Sequence, residues 1–485
     1  MGHVEGKALE IRQVCSKPLH GASIMKNMVT FVGTDYEILK SHLFRVEDNR
    51  EEAAFLIAGY SETDHKVNLL VREVIPVADS GFVEKGYAGL TIDPEFMMPI
   101  LKRCRNKKLS VILVHSHPFS SNSATFSSID DYGERVLMPK IQERIPERHH
   151  AAMVFGRSSI DARIWKSGKR GSEPVDIVKI VGENVEEIYP SSSRLYAEMS
   201  IAETYDRQIL AFGRESQSRI QRTVVAIVGV GGIGSQVFQN LAHLGVGKII
   251  AIDNDIIEES NRSRIVGSRI DDVKYKTPKT EVMKRLGKEI NPKLETVAVS
   301  GSVNDLSVAL KLREAGVIFC CTDTLTSRMV LNRIAYQYLI PVIDTGLDIQ
   351  CSEHGKIRVA AGRVMSILPD GPCLECMGLL DAKTIQQELA QIERGETPHY
   401  SYISGFSVEA PSVISLNGVV ASLAVNSFLN LLTGFEGKVQ RTYQMYNVLE
   451  GTVKLYEMKA EVNCTLCKEV KALGDGVNLP CKLDQ

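Results

Sequence analysis

The sequence predicts an α/β protein in two parts, an α+β domain over residues 1–190 and a doubly wound, Rossmann-like domain over 191–485. Three observations carry this. Strand-like and helix-like segments are mixed without a fixed order in the first part. From residue 223 onward they alternate β-α-β, which implies a largely parallel sheet. A glycine-rich turn, Gly229-Val230-Gly231-Gly232-Ile233-Gly234, joins the first strand of that series to a helix.

In the first part, Ala53–Ala58 reads as a buried strand and Val67–Pro76 alternates like one. Asp93 and Pro94 open a helix that runs to Arg105, since a short polar side chain caps and proline suits the first helical position. Leu109–Val114 is a β-branched strand leading into His115, and Ala151–Phe155 and Ala162–Trp165 give two more strands. Polar runs at Lys166–Pro174 and Pro190–Arg194 put the domain boundary near 185–200. Beyond it, Thr223–Val228, Lys248–Asp253, Val317–Cys321 and Ile340–Asp344 read as strands, and Gly234–Leu244 as a helix.

Composition excludes some classes. A net charge of -2 gives no electrostatic case for nucleic acid or an anionic membrane. The N-terminus has charged His3, Glu5, Lys7 and Glu10 in place of an apolar signal core, and Val224–Gly234, read as the most apolar stretch, is too short to span a bilayer. The expectation is a cytoplasmic protein without a membrane segment. Ten cysteines are then better read as metal ligands and core residues than as disulfides.

The first chemical constellation is His115-Ser116-His117-Pro118, followed by Phe126-Ser127-Ser128-Ile129-Asp130. Two histidines at i and i+2 past a strand can face one cation. Asp130 as third ligand leaves a fourth position open for water, as catalytic zinc requires. An H-x-H pair alone is commonly a surface feature. The added Ser-x-x-Asp, and an acid ahead of an apolar strand, make this set resemble the JAMM/JAB metallopeptidases, over roughly residues 30–180. The resemblance implies a JAB-like fold, a catalytic Zn²⁺ on His115, His117 and Asp130, Glu52 as acid/base, Ser127 as oxyanion stabiliser, and cleavage at the C-terminus of a ubiquitin-like protein. Nine residues separate His117 from Ser127, a longer gap than the family's usual one, so Ser128 with Asp131 fits the motif too. Glu51 likewise neighbours Glu52. Glu52 is preferred because the family's strand then aligns through to Gly59.

The second constellation is the glycine turn. Its backbone N–H groups and the helix N-terminus suit phosphate, and Asp253 at the end of the next strand suits ribose hydroxyls. A dehydrogenase would fit these equally. Tyr205-Asp206-Arg207-Gln208, Asn261, Arg264, Pro278-Lys279 and Cys321-Thr322-Asp323 break the tie: several cations and a carboxylate beside a phosphate loop suit nucleotidyl transfer. The set resembles the ThiF/MoeB/HesA superfamily, the adenylating core of ubiquitin-activating enzymes, over roughly residues 200–470. It implies that Gly229, Gly231, Gly232 and Gly234 cradle ATP, Asp253 and Asp255 lie with it, Asn261, Arg264 and Lys279 contact phosphates, and Asp323 holds Mg²⁺. Arg207 would reach the active site of a partner subunit, so a homodimer is implied.

Cys373-x-x-Cys376 and Cys464-x-x-Cys467, with 87 residues between the pairs, read as a closed, structural Zn²⁺ site rather than a redox pair. No cysteine lies between Met377 and Asn463, where many activating enzymes carry a catalytic thiol. Cys15 and Cys104 belong to the first part, Cys320 and Cys321 end a buried strand, and Cys351 and Cys481 lie elsewhere. The expectation is therefore an enzyme that stops at the acyl-adenylate. The partners implied are a ubiquitin-like protein and a conjugating enzyme or sulfurtransferase. Three other readings stand beside this one: sulfur-carrier activation, with the first domain releasing an amino acid built on the carrier; a non-catalytic carrier-binding scaffold; and a nicotinamide oxidoreductase.

Overall fold

A computed structural model describes residues 25–482 apart from 46–49, 87–88, 121–122, 196–200, 353, 355, 397–410 and 438–441. Cys15 and part of the expected boundary lie outside the described residues.

The first part is built on a nine-stranded mixed sheet. Its strands are β1 (Lys26–Val32), β2 (Ala53–Glu62), β3 (Lys66–Pro76), β6 (Ser110–Ser116), β7 (His150–Phe155), β8 (Ile160–Trp165), β9 (Glu173–Pro174), β10 (Ile177–Val181) and β11 (Val185–Ile188), with the hairpin β4 (Phe82–Lys85) and β5 (Leu90–Ile92) lying apart. The order is β11-β10-β1-β3-β2-β6-β7-β8-β9. The helices are α1 (Gly33–Leu43), α2 (Pro94–Lys107) and α3 (Ser128–Arg144). Asp93 caps α2 by accepting from Glu95 N at 2.8 Å, with Pro94 at the first helical position, as the sequence implies.

The second part is an eight-stranded sheet. After the short helices α4 (Asp206–Phe212) and α5 (Arg214–Arg222), the chain runs β12 (Val224–Val228), α6 (Gly232–Leu244), β13 (Lys248–Asp253), α7 (Ile270–Lys274), α8 (Lys279–Ile290), β14 (Glu295–Ser300), α9 (Leu306–Ala309), β15 (Val317–Cys320), α10 (Leu325–Gln337) and β16 (Val342–Cys351). Strands β14, β13, β12, β15 and β16 are parallel neighbours, and their order reverses between β12 and β15. β17 (Ile357–Ile367), β18 (Tyr443–Asn447) and β19 (Thr452–Tyr456) extend the edge antiparallel. Helix α11 is Ala382–Glu393.

Helix α12 (Ile414–Thr433) went unread in the sequence, where Val224–Gly234 stood as the most apolar stretch. It is the one described helix long and apolar enough to cross a membrane. In this fold it packs on α6, β16 and β17, with Val420, Ala421, Ala424 and Phe428 buried.

The two parts share their cores. One apolar cluster joins Val32 and Leu70 of the first sheet to Val228, Ile334, Cys373 and Ala472; another joins Val181 and Val185 to Phe238 and Phe428. A C-terminal strap completes the seam. Asp475 N donates to Tyr60 O (2.7 Å), Arg72 donates to Lys471 O, and the Asp475 carboxylate accepts from Glu62 N and pairs with Arg313. Lys471 pairs with Asp35 at 2.9 Å. Gly59 is dictated by this contact, because a Cβ there would lie 2.1 Å from Ala472 O. Backbone on both sides cannot yield cheaply, so Gly59→Ala is expected to destabilise by about 1–3 kcal/mol. Gly133→Ala, on the open face of α3 with nothing within 4 Å of the added carbon, should stabilise by up to about 1 kcal/mol. Thermal denaturation of the two variants checks the pair.

Candidate functional site

Three clusters of chemically competent side chains stand out, and the first is the cleft at the C-terminal end of β12. Gly229 has φ +87°, a left-handed conformation that favours glycine, and a Cβ there would lie 2.6 Å from Cys321 O. A Cβ at Gly234 would lie 1.9 Å from Gly229 O, so the turn closes directly onto the helix. Gly232 packs as tightly, 2.3 Å from Asn417 Nδ2 of α12 by the same measure. Gly231, which caps α6, differs: nothing lies within 4 Å of its missing carbon. Three glycines are thus packed shut, and the fourth leaves a concavity at a helix N-terminus, the form a phosphate group requires.

Asp253 closes one side. One carboxylate oxygen accepts from Val230 N (2.8 Å) and the other from Asp255 N (2.9 Å). Burial raises its pKa above the ordinary carboxylate range, against the pull of the Lys279 ammonium 4.0 Å away. Lys279 opens α8 and pairs with Asp255 at 2.6 Å. Asn261 is buried and its Oδ1 accepts from Glu258 N (3.1 Å). The stem of Arg264 lies against Gly232, and its guanidinium donates to Ser260 O. Asp323 is exposed on the loop after β15, the same loop whose Cys321 carbonyl touches Gly229. These contacts link the glycines, Asp253, Asp255, Lys279 and Arg264 at the point where strand order reverses, and Asp323 lies on the loop that meets Gly229 there. Arg207 is not among them. It lies exposed on α4 and makes no hydrogen bond or ion pair with the described residues.

Sequence reasoning missed the support beneath Asp323. Arg328 of α10 donates from Nη1 to both oxygens of Asp344 (2.9 and 2.9 Å) and from Nη2 to Thr322 O and Thr345 O (2.6 and 3.0 Å). Asp344 is fully buried, with Arg363 Nε 3.4 Å away on its other side. No local pattern announces this pair, since its members belong to different elements.

The second cluster is Cys373, Cys376, Cys464 and Cys467, whose sulfurs all lie within 4.8 Å of one another. Three sulfur–sulfur contacts are 3.6 Å. A tetrahedral zinc with Zn–S bonds of about 2.3 Å separates its sulfurs by roughly 3.8 Å, so the donor set fits that ion. Cys376 N donates to Cys373 Sγ and Glu461 N to Cys376 Sγ, and hydrogen bonding, chiefly from Cys467, lowers the Cys373 pKa.

The third cluster sits where β6 ends. His115 Nε2 and His117 Nε2 are 3.2 Å apart, and the Asp130 carboxylate lies 3.1 Å from the first and 3.4 Å from the second. The Ser-x-x-Asp motif delivers Asp130 as a capping box. Ser127 Oγ accepts from Asp130 N (3.2 Å) while Asp130 Oδ2 accepts from Ser127 N (2.6 Å) at the start of α3. Asp131 is spent elsewhere, on Arg163 at 2.6 Å, so Ser127 and Asp130 are the register that meets the histidines. Burial opposes charge on His117, yet the Asp130 and Glu51 carboxylates raise its pKa. Burial would raise Asp130, but hydrogen bonds from His115 and His117 hold it far below the ordinary range. Convergent imidazoles around a carboxylate form a ready site for a cation.

Glu52 is a correction. Strands β2 and β6 pair antiparallel with Ala53 opposite His115, and Ser116 N donates to Glu52 O at 2.9 Å. Continuing that register sets Glu51 opposite His117, and alternation sends Glu52 to the other face. There its carboxylate is clamped by Lys85 (2.6 Å) and Arg45 (3.1 Å) and is 1% exposed. Glu51 Oε1 instead lies 3.7 Å from His117 Nε2, and burial raises its pKa despite both histidines.

The fold and the first cleft define a nucleotide-binding α/β protein. The ThiF family model matches residues 205–467, more than half of the sequence, and the chain belongs to that family. The SAMP-activating enzyme E1 of Haloferax volcanii is 31% identical over 175 residues, 36% of this chain and 60% of its own length. The molybdopterin-synthase adenylyltransferase of Escherichia coli is 27% identical over 268 residues, covering 54% of this chain and 95% of its own. The sulfur carrier protein ThiS adenylyltransferase of Bacillus subtilis is 26% identical over 267 residues, 54% of this chain and 70% of its own.

Removing Arg328 would leave the buried Asp344 charge poorly compensated, so Arg328→Met is expected to destabilise by about 3–5 kcal/mol in urea unfolding. Arg207→Ala, at an exposed position without an ion pair among the described residues, should stay within about 0.5 kcal/mol of the parent.

Proposed function

We propose that this protein uses ATP and Mg²⁺ to adenylate the C-terminus of a ubiquitin-like protein, and that its N-terminal part is a JAMM/JAB-type zinc peptidase acting at such a C-terminus. The observation that carries the first half is the cleft of Gly231, Lys279, Arg264 and Asp323 at the switch point of the parallel sheet. Similarity to the Haloferax and Escherichia adenylating enzymes supports it. Similarity to the ThiS adenylyltransferase favours, as a second reading, a sulfur carrier as the protein substrate.

In the proposed reaction a carboxylate oxygen of the carrier's C-terminus bonds to the α-phosphorus of ATP. The bond from that phosphorus to the bridging oxygen breaks, and pyrophosphate leaves with the electron pair. Negative charge grows on the departing oxygens, and Lys279, Arg264 and the helix N-terminus at Gly231 are there to meet it. Asn261 contacts the phosphates in the same reading. Asp323 would hold Mg²⁺, kept in position by the Arg328 clamp on Thr322. Asp253 has both oxygens engaged by backbone N–H groups, so it would serve the ribose through its remaining lone pairs while fixing the turn. Arg207, with no partner among the described residues, would act across a homodimer.

Burial raises the thiols of Cys320 and Cys321, the latter to about 12, so neither supplies a thiolate beside the cleft near neutral pH. Cys481 Sγ donates to Val303 O. These observations favour an acyl-adenylate that is handed to another protein, such as a conjugating enzyme or sulfurtransferase, without a thioester on this chain.

In the N-terminal part, Zn²⁺ held by His115, His117 and Asp130 would supply an acidified water. Glu51 is the group to accept and return its proton, and Ser127 Oγ would donate toward the oxyanion. A second Zn²⁺ held by the four cysteines would be structural. We assign the whole protein to the cytoplasm on the same reading.

Asp323→Ala is expected to lower ATP–pyrophosphate exchange on the order of 10²-fold or more, measured with carrier proteins that end in glycine. Exchange at the parent rate would overturn the adenylation mechanism. For the peptidase, Glu51→Gln should abolish cleavage of a C-terminally extended carrier while metal analysis still finds two zinc ions per chain. Glu52→Gln should instead lower the melting temperature, because Lys85 and Arg45 lose their shared counter-charge. Normal cleavage by Glu51→Gln would remove the peptidase reading.

A further inference from the structure

A cavity of about 480 Å³ lies on the seam between the two sheets, at the end of the second sheet opposite the nucleotide cleft. Its walls are one face of β1, β3 and β10 and the segments that enter β12, β13, β14 and β15, including Val224, Lys248, Glu295 and Gly316. The nucleotide cleft is built at the other, C-terminal ends of those parallel strands, so the two sites are separate.

The cavity's charge is unbalanced. Lys26, Lys66 and Lys179 line it, and none has a carboxylate within 4.0 Å among the described residues. Lys26 and Lys66 are direct register partners on β1 and β3, an arrangement of like charges that a sheet disfavours. Lys179 is 8% exposed, and among the described residues its ammonium has a single hydrogen bond, to Gly316 O at 3.2 Å. Of the other charges on the wall, Lys248 pairs with Glu295 at 2.7 Å and Arg313 with Asp475 at 2.9 Å, while Glu187, Glu314 and Arg222 have no ion pair among the described residues, so cations outnumber acids. Glu314 is the acid that acts most on Lys66, and it does not offset burial and three neighbouring cations, so the Lys66 pKa falls to about 8. The Lys66 side chain is partly buried on the cavity wall. Ser61, 3% exposed, also lines the hollow, and its Oγ has no hydrogen-bond partner among the described residues.

Buried ammonium groups without counter-charges are strongly unfavourable, and a buried hydroxyl without a partner is too. One buried ammonium, Lys179, a partly buried one, Lys66, the exposed Lys26 beside them and the buried Ser61 hydroxyl line a hollow of ligand size, a receptor that an anion would complete. We propose that this cavity binds a small phosphate-bearing anion, with Lys26, Lys66 and Lys179 as its cationic ligands and Ser61 as a hydroxyl donor, and that the bound anion locks the N-terminal part onto the ThiF part. A phosphate group suits the set because it can take several charge-assisted hydrogen bonds at once. Since both parts contribute walls, binding there stabilises their docking by mass action.

The test is calorimetric titration of the full chain with inorganic pyrophosphate and, in a separate arm, with AMP. The parent should show two sites for at least one of these probes. Lys66→Met/Lys179→Met should lose one of the two, or weaken it roughly tenfold or more, as the loss of charge-assisted bonds implies. Lys279→Met should lose the other. Binding of pyrophosphate alone at the lysine site identifies an inorganic anion, and binding of AMP there identifies a nucleotide. A second readout guards against misfolding. Without ligand, Lys66→Met/Lys179→Met should melt higher than the parent, because uncompensated buried charge is gone, and pyrophosphate should raise its melting temperature less. A single site in the parent with both probes, two unaltered sites in the double variant, or a lower melting temperature in the ligand-free double variant would each overturn the proposal.

Discussion

The contact on which the two parts depend is that of the strap at residues 471–475 with Gly59 and Tyr60. It is a backbone contact: a carbonyl of the strap occupies the space where any side chain at position 59 would begin. The chain just before the strap packs there, with Cys464 and Cys467 gathered against Cys373 and Cys376. Those cysteines sit in the same apolar cluster as Val32 and Leu70 of the first sheet. The cysteine cluster therefore does more than close a loop within the ThiF part. It fixes the height at which the C-terminal segment meets the first sheet, and hence the seam on which the lysine cavity opens.

This architecture keeps the chemistries apart. Helix N-termini and open strand ends gather at the C-terminal edge of a parallel sheet, which is why the glycine turn, Asp253 and Asp323 meet there. The opposite edge has no such dipoles, and its charge comes from side chains alone. The histidine cluster depends on neither edge. It is set by the ladder between β2 and β6 and by the capping box that starts α3. Three sites thus arise from three different local rules, and a change in one has no direct path to the geometry of the others except through the seam.

The sequence made visible those parts whose cause is local. The glycine turn, the Asp93-Pro94 helix start, the Ser127-x-x-Asp130 cap and the paired C-x-x-C motifs each carry their reason within a few residues. What stayed hidden is what long-range pairing decides. Glu51 and Glu52 are neighbours between which strand alignment alone favours Glu52, and the pairing of Ala53 with His115 turns Glu51 toward the histidines instead. Arg328 and Asp344 look like any charged pair until α10 is laid over β16. The lysine cavity draws Lys26, Lys66 and Lys179 from three strands that are distant in sequence and adjacent in the sheet. Helix α12 escaped because its interior is apolar nearly all round, which leaves little amphipathic period to detect.

Asp253 shows how far one side chain is committed before any ligand arrives. Its two oxygens each hold a backbone N–H, one from the glycine turn and one from the segment leading to Lys279. Burial disfavours its charge, and Lys279 restores part of it. The same lysine is drawn 2.6 Å from Asp255, which is half exposed and can release it. An incoming phosphate would compete with Asp255 for that ammonium, while Asp253, buried and doubly bonded, keeps its place. The cleft therefore combines one carboxylate that fixes the backbone with another that holds a cation in reserve, and only the second must let go for the phosphates to be met.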